Sequence, residues 1–138
     1  MIRRVRNGQK GQILPLTAAV MTFVLLPFSI LVIDGALFEA AYAQLGETLE
    51  ASAEDGASAI NQDVYRQSGG QQVVLDQVAA KATSERSLVA SQMPGLDAWT
   101  VTVQANTVTV SGQVRVQLFV LGAVNLRETK SATFAYGS

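Results

Sequence analysis

The feature that most constrains this chain is an apolar run from residue 13 to residue 33. Its 21 residues carry no charge and are polar only at Thr17, Thr22 and Ser29. As an α-helix rising 1.5 Å per residue, the run would be roughly 30 Å long, which matches the hydrocarbon core of a bilayer. A buried helix of that length needs a larger domain than the rest of a 138-residue chain can build. The run therefore predicts a transmembrane helix over 13–33.

Charged residues are distributed unequally on the two sides of this run. All eleven acids lie at or after Asp34, and four bases precede the run, namely Arg3, Arg4, Arg6 and Lys10. Bases accumulate on the cytoplasmic side of membrane helices. We therefore expect residues 1–12 to form a cytoplasmic basic leader. The chain would cross the inner (cytoplasmic) membrane once, with its C-terminus outside.

The residue inventory excludes several kinds of chemistry. The chain contains neither cysteine nor histidine, so a disulfide, a thiolate nucleophile, a Cys/His zinc site and a histidine base are all excluded. From Asp34 onward, six bases against eleven acids leave about −5, which disfavours a nucleic-acid partner. Close acids such as Glu50 and Glu54 fit a solvated helix flank better than a catalytic pair. We predict a protein that is not an enzyme and has no cofactor, metal or small-molecule substrate.

Two processing sites would change this picture. Ala41-Tyr42-Ala43 has the small-x-small form that signal peptidase cuts, although the cut would fall about ten residues after the apolar run ends. Gly11-Gln12 is a possible site at which a pilin-type leader is trimmed. The segment is therefore a permanent anchor, a trimmed pilin helix or a discarded signal peptide, depending on which site is used.

Beyond the apolar run, residues 34–68 follow a helical pattern. Small or apolar side chains recur every four residues, with Phe38 on a neighbouring strip; they are Leu37, Ala41, Leu45, Leu49, Ala53 and Ala57. The pattern predicts that the membrane helix continues as an amphipathic helix up to the breaker Ser68-Gly69-Gly70. A narrow stripe rich in alanine suits close packing against a helix of another subunit. It equally suits packing against this chain's own sheet.

Asp34 is the most informative single charge in the chain. It stands directly after Ile33, where the apolar run ends on the outer side. One interpretation is an acid that marks the membrane interface and stops the apolar segment. The other is a contact with the helix of a neighbouring subunit.

Residues 71–138 predict an extracytoplasmic α+β domain. A second helix is expected over 73–92, stopped by Met93-Pro94-Gly95, with an apolar face formed by Val74, Val78, Ala82 and Val89. Antiparallel strands are expected at about 98–105, 107–120 and 128–136, the last with Ala132, Phe134 and Tyr136 on one face. A sheet with one apolar face needs a cover, which the helices supply. The predicted fold class is α+β, a long N-terminal helix packed on a small antiparallel sheet.

The first two strands also predict their own register. A two-residue turn at Ala105-Asn106 would set Val103 opposite Val108, apolar facing apolar. The same register sets Trp99 opposite Gly112, where an aromatic ring can cover the bare glycine. Ala-Asn is not a favoured hairpin dipeptide, but a longer symmetric turn would keep the same pairing.

Three landmarks occur in a recognisable order along the chain. Gly11-Gln12 opens the apolar run, Ile33-Asp34-Gly35 closes it, and AQLGETLEASAEDGASAI, residues 43–60, follows at helical spacing. This order resembles the N-terminal region of TadE/TadG-like proteins of tight-adherence (Flp-type) pilus systems. Members of that family typically show G-Q, an apolar anchor, V-D-G, an aromatic residue and an alanine-rich stretch. The alternating Val/Thr strands and the final Ser-Ala-Thr-Phe-Ala segment resemble the family's C-terminal half.

The resemblance implies a pilin-like fold and a structural role. The chain would be a membrane-anchored structural (minor) subunit or assembly factor of such a pilus or a related secretion apparatus. Its partners would be the membrane and other pilus or pseudopilin subunits, including copies of itself. Where relatives are trimmed after a glycine, the fifth mature residue is a glutamate; cleavage after Gly11 would place Leu16 there, which favours the anchored type.

Two other functions remain open on the sequence. The first is a major pilin-like subunit that polymerises into an extracellular filament, with the apolar helix in the filament core. The second is a single-pass extracytoplasmic module whose small β domain binds a ligand or a cell-wall component. No residue pattern in the Val/Thr-rich strands specifies such a ligand, so the structural role is the leading prediction.

Overall fold

One long helix forms the axis of the fold. The computed structural model describes residues 10–134 and has the predicted α+β class, with further helices and a three-stranded antiparallel sheet. The helices are α1 (Lys10–Ala57), α2 (Gln62–Gln67) and α3 (Gln77–Ala90). The strands are β1 (Leu96–Gln104), β2 (Thr107–Leu118) and β3 (Gly122–Thr133), with β2 in the middle.

Helix α1 ends at Ala57, earlier than the predicted end at residue 68. The side chain of Asn61 accepts from two backbone N–H groups and so caps α2, a separate short helix. The N–H of Asn61 itself donates to the carbonyl of Val74, in an extended segment. Because that N–H is engaged outside the helix, α1 cannot continue through it. The predicted breaker Ser68-Gly69-Gly70 ends α2 instead, with φ of 64° and 84° at the two glycines.

Helix α3 is shorter than the predicted 73–92 and buries a different face. Asp76 caps its start by accepting from the N–H of Val78, which leaves residues 73–75 extended. The buried residues of α3 are Ala80, Ser84 and Leu88. Val78 is 81% exposed and Val89 is exposed as well, so the predicted valine face was wrong. The small side chains win because they let α3 approach α1 closely, whereas a face of valines would hold the two helices apart.

The register of β1 and β2 is the predicted one. Ala105-Asn106 forms a two-residue turn in which Ala105 has a φ of 50°. Val103 lies opposite Val108, and Trp99 lies opposite Gly112. A register shift between Leu96 and Ala98 marks a bulge near the start of β1. The hairpin therefore forms although its turn dipeptide is not a favoured one.

Gly112 is covered by leucines and not by the indole ring, so the prediction for Trp99 was wrong. The nearest atoms to a side chain placed at Gly112 belong to Leu49, Leu45 and Leu96, with Leu49 Cδ2 only 2.8 Å from the position of a Cβ. Trp99 remains 38% exposed on the edge strand. Helix α1 already fills the space above the glycine, which leaves none for the ring.

Strand β3 begins at Gly122, six residues before the predicted start at residue 128. Gly122 pairs with Leu118 and has a φ of 71°, so residues 119–121 form a three-residue turn followed by a left-handed glycine. Ala132 and Phe134 pack against the core, as predicted. The prediction for Tyr136 lies outside the described residues. The early part of β3 escaped prediction because its alternation begins in the short, poorly patterned segment after the turn.

Helix α1 and strand β2 lie antiparallel along the core. Contacts join Gly56 to the neighbourhood of Val108, Leu49 to that of Gly112, and Asp34 to Phe119. The helix rises roughly 33 Å over the 22 steps from residue 34 to residue 56, and the chain advances roughly 36 Å over the 11 steps from residue 108 to residue 119, so the two segments match in length. The turn between β2 and β3 therefore lies at the end of the domain nearest the apolar run.

Candidate functional site

The first candidate site is the anchor segment, defined as residues 13–33 of α1. None of its residues is buried against the described part of the chain, and only Ile30 is partly shielded. The helix is long and apolar enough to cross a membrane. Its three hydroxyl groups each donate to the carbonyl four residues earlier at 2.8 Å, in Thr17, Thr22 and Ser29. The outer surface of the anchor segment is thus compatible with hydrocarbon.

Asp34 is buried, with 3% of its surface exposed, although it follows directly on the exposed anchor segment. One carboxylate oxygen accepts from the backbone N–H of Phe119 at 2.7 Å, and the other from that of Val120 at 2.8 Å. Bonds from backbone N–H groups to a carboxylate are charge-assisted and short. Within the described chain, both carboxylate oxygens of Asp34 are therefore engaged, and the side chain does not face solvent. It ties the turn between β2 and β3 to the helix.

The turn that Asp34 holds carries three large apolar side chains. We define the hairpin tip as Phe119, Val120 and Leu121, which are 76%, 57% and 68% exposed. No charged residue occurs from 116 to 126, so the apolar character extends into both strands beside the turn. A contiguous exposed apolar group in a folded domain marks a contact surface more often than scattered single residues do.

The predicted subunit-packing stripe divides into two parts. Leu45, Leu49, Ala53 and Ala57 are buried in this chain's own core. For these four residues, packing on the chain's own sheet and on α3 is the interpretation that holds. Leu37 and Phe38 are exposed, and Ala41 is half-buried. Of the seven predicted residues, the first three therefore retain surface for a partner, and they lie next to the anchor segment.

The close helix contact that the small residues predict occurs inside the chain, between α1 and α3. The hydroxyl of Ser52 donates to the carbonyl of Ser84 at 2.9 Å, and that of Ser84 donates to the carbonyl of Ser52 at 2.8 Å. At Gly56, an added Cβ would overlap Ser84 Oγ and would lie 2.9 Å from the carbonyl oxygen of Ala80. The alanine-rich stripe of α1 is flanked by Ser52 and Gly56 here because α3 approaches so closely that larger side chains would not fit.

One ion pair lies on the sheet face that α1 covers. Lys130 Nζ is 3.2 Å from Glu128 Oε1. The hydrogen bond and the charge of Glu128 raise the pKa of Lys130 above its ordinary value of 10.5. Glu128 Oε2 is buried, has no hydrogen-bond partner among the described residues, and lies 3.0 Å from where a Cβ at Gly46 would be. Gly46 thus leaves room for a carboxylate between helix and sheet.

The possible processing sites lie within α1. Gly11 and Gln12 belong to its first turns, and residues 1–9 of the predicted leader lie outside the described residues. Ala41-Tyr42-Ala43 lies in the middle of the same helix, between Asp34 and the buried Leu45. A cut there would separate Asp34 from the turn it holds. The helix is continuous through both sites.

Within residues 10–134 there is no group of three or more acidic residues that could hold a metal ion. No protein-family model matches the chain, and no curated protein and no solved structure matches it. The features of the described residues that bear on function are the anchor segment, the hairpin tip and the exposed start of the stripe.

Proposed function

We propose that the protein is a membrane-anchored structural subunit or assembly factor of a tight-adherence (Flp-type) pilus or a related secretion apparatus. The observation that carries this proposal is the division of α1. No residue of its anchor segment is buried in the folded domain, while the same helix continues as the domain's central element. A helix of this kind holds a small domain at a fixed distance from whatever surrounds the anchor segment.

The chemistry of the anchor segment supports a lipid environment. It is of the length that a bilayer core requires. Its hydroxyls are bonded within the helix, and all four N-terminal bases precede it. The positive-inside rule then places the N-terminus in the cytoplasm and the α+β domain outside the cytoplasmic membrane.

Subunit contacts are best supplied by the anchor segment and the exposed start of the stripe. Leu37 and Phe38 continue the apolar surface beyond Asp34 by one helical turn. Helices that meet in a membrane are held by close packing and by few polar contacts. The order Gly11-Gln12, Ile33-Asp34-Gly35 and the small-residue stretch after it, similar to TadE/TadG-like proteins, supports an assembly partner of pilus type.

A major, polymerising pilin is the second candidate, and the same observation favours it. In a filament, the anchor segments of neighbouring subunits would pack against one another instead of against lipid. The two candidates differ in the mature N-terminus. A filament subunit is trimmed after Gly11 and starts at Gln12, whereas an anchored subunit keeps its basic leader.

The first experiment is mass spectrometry of the mature N-terminus, in membrane fractions and in fibres sheared from the cell surface. An anchored subunit gives a membrane-confined chain that retains Arg3, Arg4, Arg6 and Lys10. A chain starting at Gln12, in bulk in the sheared fraction, would make the filament candidate the leading one. A chain starting at Gln44 would mean a secreted domain and would contradict both.

The second experiment tests the contacts themselves. A photo-crosslinking amino acid at Leu31 or Leu37 in the full chain should capture the same or another pilus subunit in native membranes. The matched control is Val78, which is highly exposed but lies on α3 in the domain. Equal capture at all three positions, or capture at none, would contradict helix-mediated assembly.

A further inference from the structure

The hairpin tip and the anchor segment end at the same level along α1. The carboxylate of Asp34 reaches the N–H groups of Phe119 and Val120 at 2.7 and 2.8 Å, so the tip touches the helix at the first residue after the apolar run. If residues 13–33 fill the hydrocarbon core, Asp34 stands at the boundary between hydrocarbon and headgroups. The tip must then stand there too.

The shielding along the helix indicates which way the tip extends. Ile30 is four residues before Asp34, and therefore on the same helix face. It is the only residue from 13 to 33 that is not exposed. Shielding on this face is what we expect where the turn bonded to Asp34 extends past that residue toward the apolar run.

The composition of the tip fits lipid better than water. Three consecutive large apolar side chains are exposed there, and no charge lies between Arg115 and Arg127. The backbone N–H groups of Phe119 and Val120 are already bonded to Asp34, so apolar surroundings would not leave them unpaired. Apolar groups of this kind lower their free energy by entering the acyl-chain boundary just beneath the headgroups.

We infer that the hairpin tip is a second membrane contact, in which Phe119, Val120 and Leu121 enter the outer interface of the bilayer beside the anchor segment. Asp34 is the residue that positions them. A single helix alone would leave the domain free to tilt and rotate over the surface. A second contact at the tip fixes the orientation of the domain, and with it the direction in which Leu37 and Phe38 face neighbouring subunits. The inference rests on the proposed membrane anchor, but on no pilus partner.

Tryptophan fluorescence in bilayers tests the inference directly, because Trp99 is the only tryptophan of the chain. The full chain is reconstituted in phosphatidylcholine–phosphatidylglycerol vesicles in a Trp99→Phe background. Three single-tryptophan variants are compared: Phe119→Trp at the tip, Phe23→Trp in the anchor segment, and Asn106→Trp in the turn at the opposite end of the sheet. The vesicles contain lipids brominated either close to the headgroup or close to the end of the acyl chain.

We expect the shallow bromines to quench Phe119→Trp, the deep bromines to quench Phe23→Trp, and neither to quench Asn106→Trp. If Phe23→Trp is quenched and Phe119→Trp is not, the second contact is absent and the anchor stands. If neither is quenched, the anchor itself fails and the inference falls with it. Emission from Phe119→Trp that is shielded from aqueous iodide but unaffected by brominated lipid would mean that the tip contacts another copy of the chain, which also overturns the inference.

A second tryptophan position in the hairpin tip checks whether the substitution at Phe119 itself disturbs the turn. Leu121→Trp changes a side chain that is 68% exposed and leaves both N–H groups bonded to Asp34 in place. It should show the same shallow quenching as Phe119→Trp. Its loss in an Asp34→Ala background, with Phe23→Trp still quenched, is the expected sign that Asp34 positions the tip. Unchanged quenching at both tip positions in that background would contradict the positioning role.

Discussion

The two halves of α1 are one continuous helix in opposite surroundings. From residue 13 to residue 33 its large apolar side chains are exposed, apart from the partly shielded Ile30, while from Leu45 to Ala57 its apolar side chains are buried by the sheet and by α3. Hydrophobic surface is stabilised only where something removes it from water. The sheet and α3 remove the apolar side chains from Leu45 to Ala57 from water. The anchor segment can be removed from water only by something outside the described chain. Regular burial of the helix begins at Leu45, and between the two halves Asp34 is the one buried residue, through the carboxylate that holds the β2–β3 turn.

A pair of leucine substitutions, one in each half of α1, should differ most in their effect on stability. Leu49 is fully buried against Gly112, so Leu49→Ala should lower the free energy of unfolding of the domain by about 2–5 kcal/mol. Leu25→Ala removes the same atoms from an exposed side chain of the anchor segment. It should leave the free energy of unfolding of the domain unchanged. Chemical denaturation of the full chain in micelles measures both. Equal losses would mean that the anchor half is also part of the domain's core.

A pair of glycine substitutions compares a helix position packed against α3 with one that has no neighbour. Gly56→Ala places a Cβ against the backbone carbonyl of Ala80, which cannot turn away, and should destabilise the domain by about 1–3 kcal/mol. Gly35→Ala meets nothing within 4 Å. Because alanine is the better helix former, it should be neutral or stabilising by up to about 1 kcal/mol. Thermal unfolding followed by circular dichroism compares the pair, and destabilisation of similar size in both variants would contradict the close α1–α3 contact.

The junction between the halves is tested at Asp34. Asp34→Ala leaves the N–H groups of Phe119 and Val120 without their acceptor, at a cost of about 1–3 kcal/mol. The expected result is faster hydrogen exchange at these two amides, while the amides of Val108 and Val110 stay protected. Glu39→Ala, which removes an exposed acid from the same helix, is the control and should change neither. Unchanged exchange at the turn in Asp34→Ala would contradict the bond geometry.

The smallest expected effect belongs to the ion pair on the sheet. The pKa of Lys130 is raised by Glu128, so the folded state holds this proton more tightly than the unfolded state does. The resulting stabilisation is complete below the ordinary pKa of 10.5 and is lost as the pH rises through the higher folded value. An NMR titration of the Lys130 side chain should give a pKa that falls toward 10.5 in Glu128→Gln. A pKa that does not respond to this substitution would exclude Glu128 as the cause.

Some of the structure could be predicted because it depends on neighbours in the sequence. The apolar run, the helical spacing from Leu37 to Ala57 and the Val/Thr alternation of β2 each contain their own period. The turn at Ala105-Asn106 follows from matching the alternation on both sides. The pairing of Trp99 with Gly112 was predicted from register, but the space above the glycine was not, because Leu45 and Leu49 come from an element more than sixty residues away.

The candidate site was located only in part by the same means. Asp34 was singled out because it is a charge at the end of an apolar run, yet its partners are 85 and 86 residues away and no pattern in the sequence joins them. The tip residues Phe119 and Val120 appeared as the end of a strand. An exposed apolar turn and a buried strand end have the same composition, so only their surroundings distinguish them.

Residue content and local patterning set the chemical range and the modular plan of this protein. They excluded cysteine and histidine chemistry, set an apolar segment of membrane length, and specified a helix followed by a hairpin of alternating residues. Long-range packing determines which apolar surfaces are buried within the chain. It uses Leu45 to Ala57 for the core, turns the valines of α3 outward, and draws Asp34 into the β2–β3 turn. The physical reason is that a period is set by adjacent residues, whereas burial and hydrogen bonding depend on the space and the partners that distant residues supply.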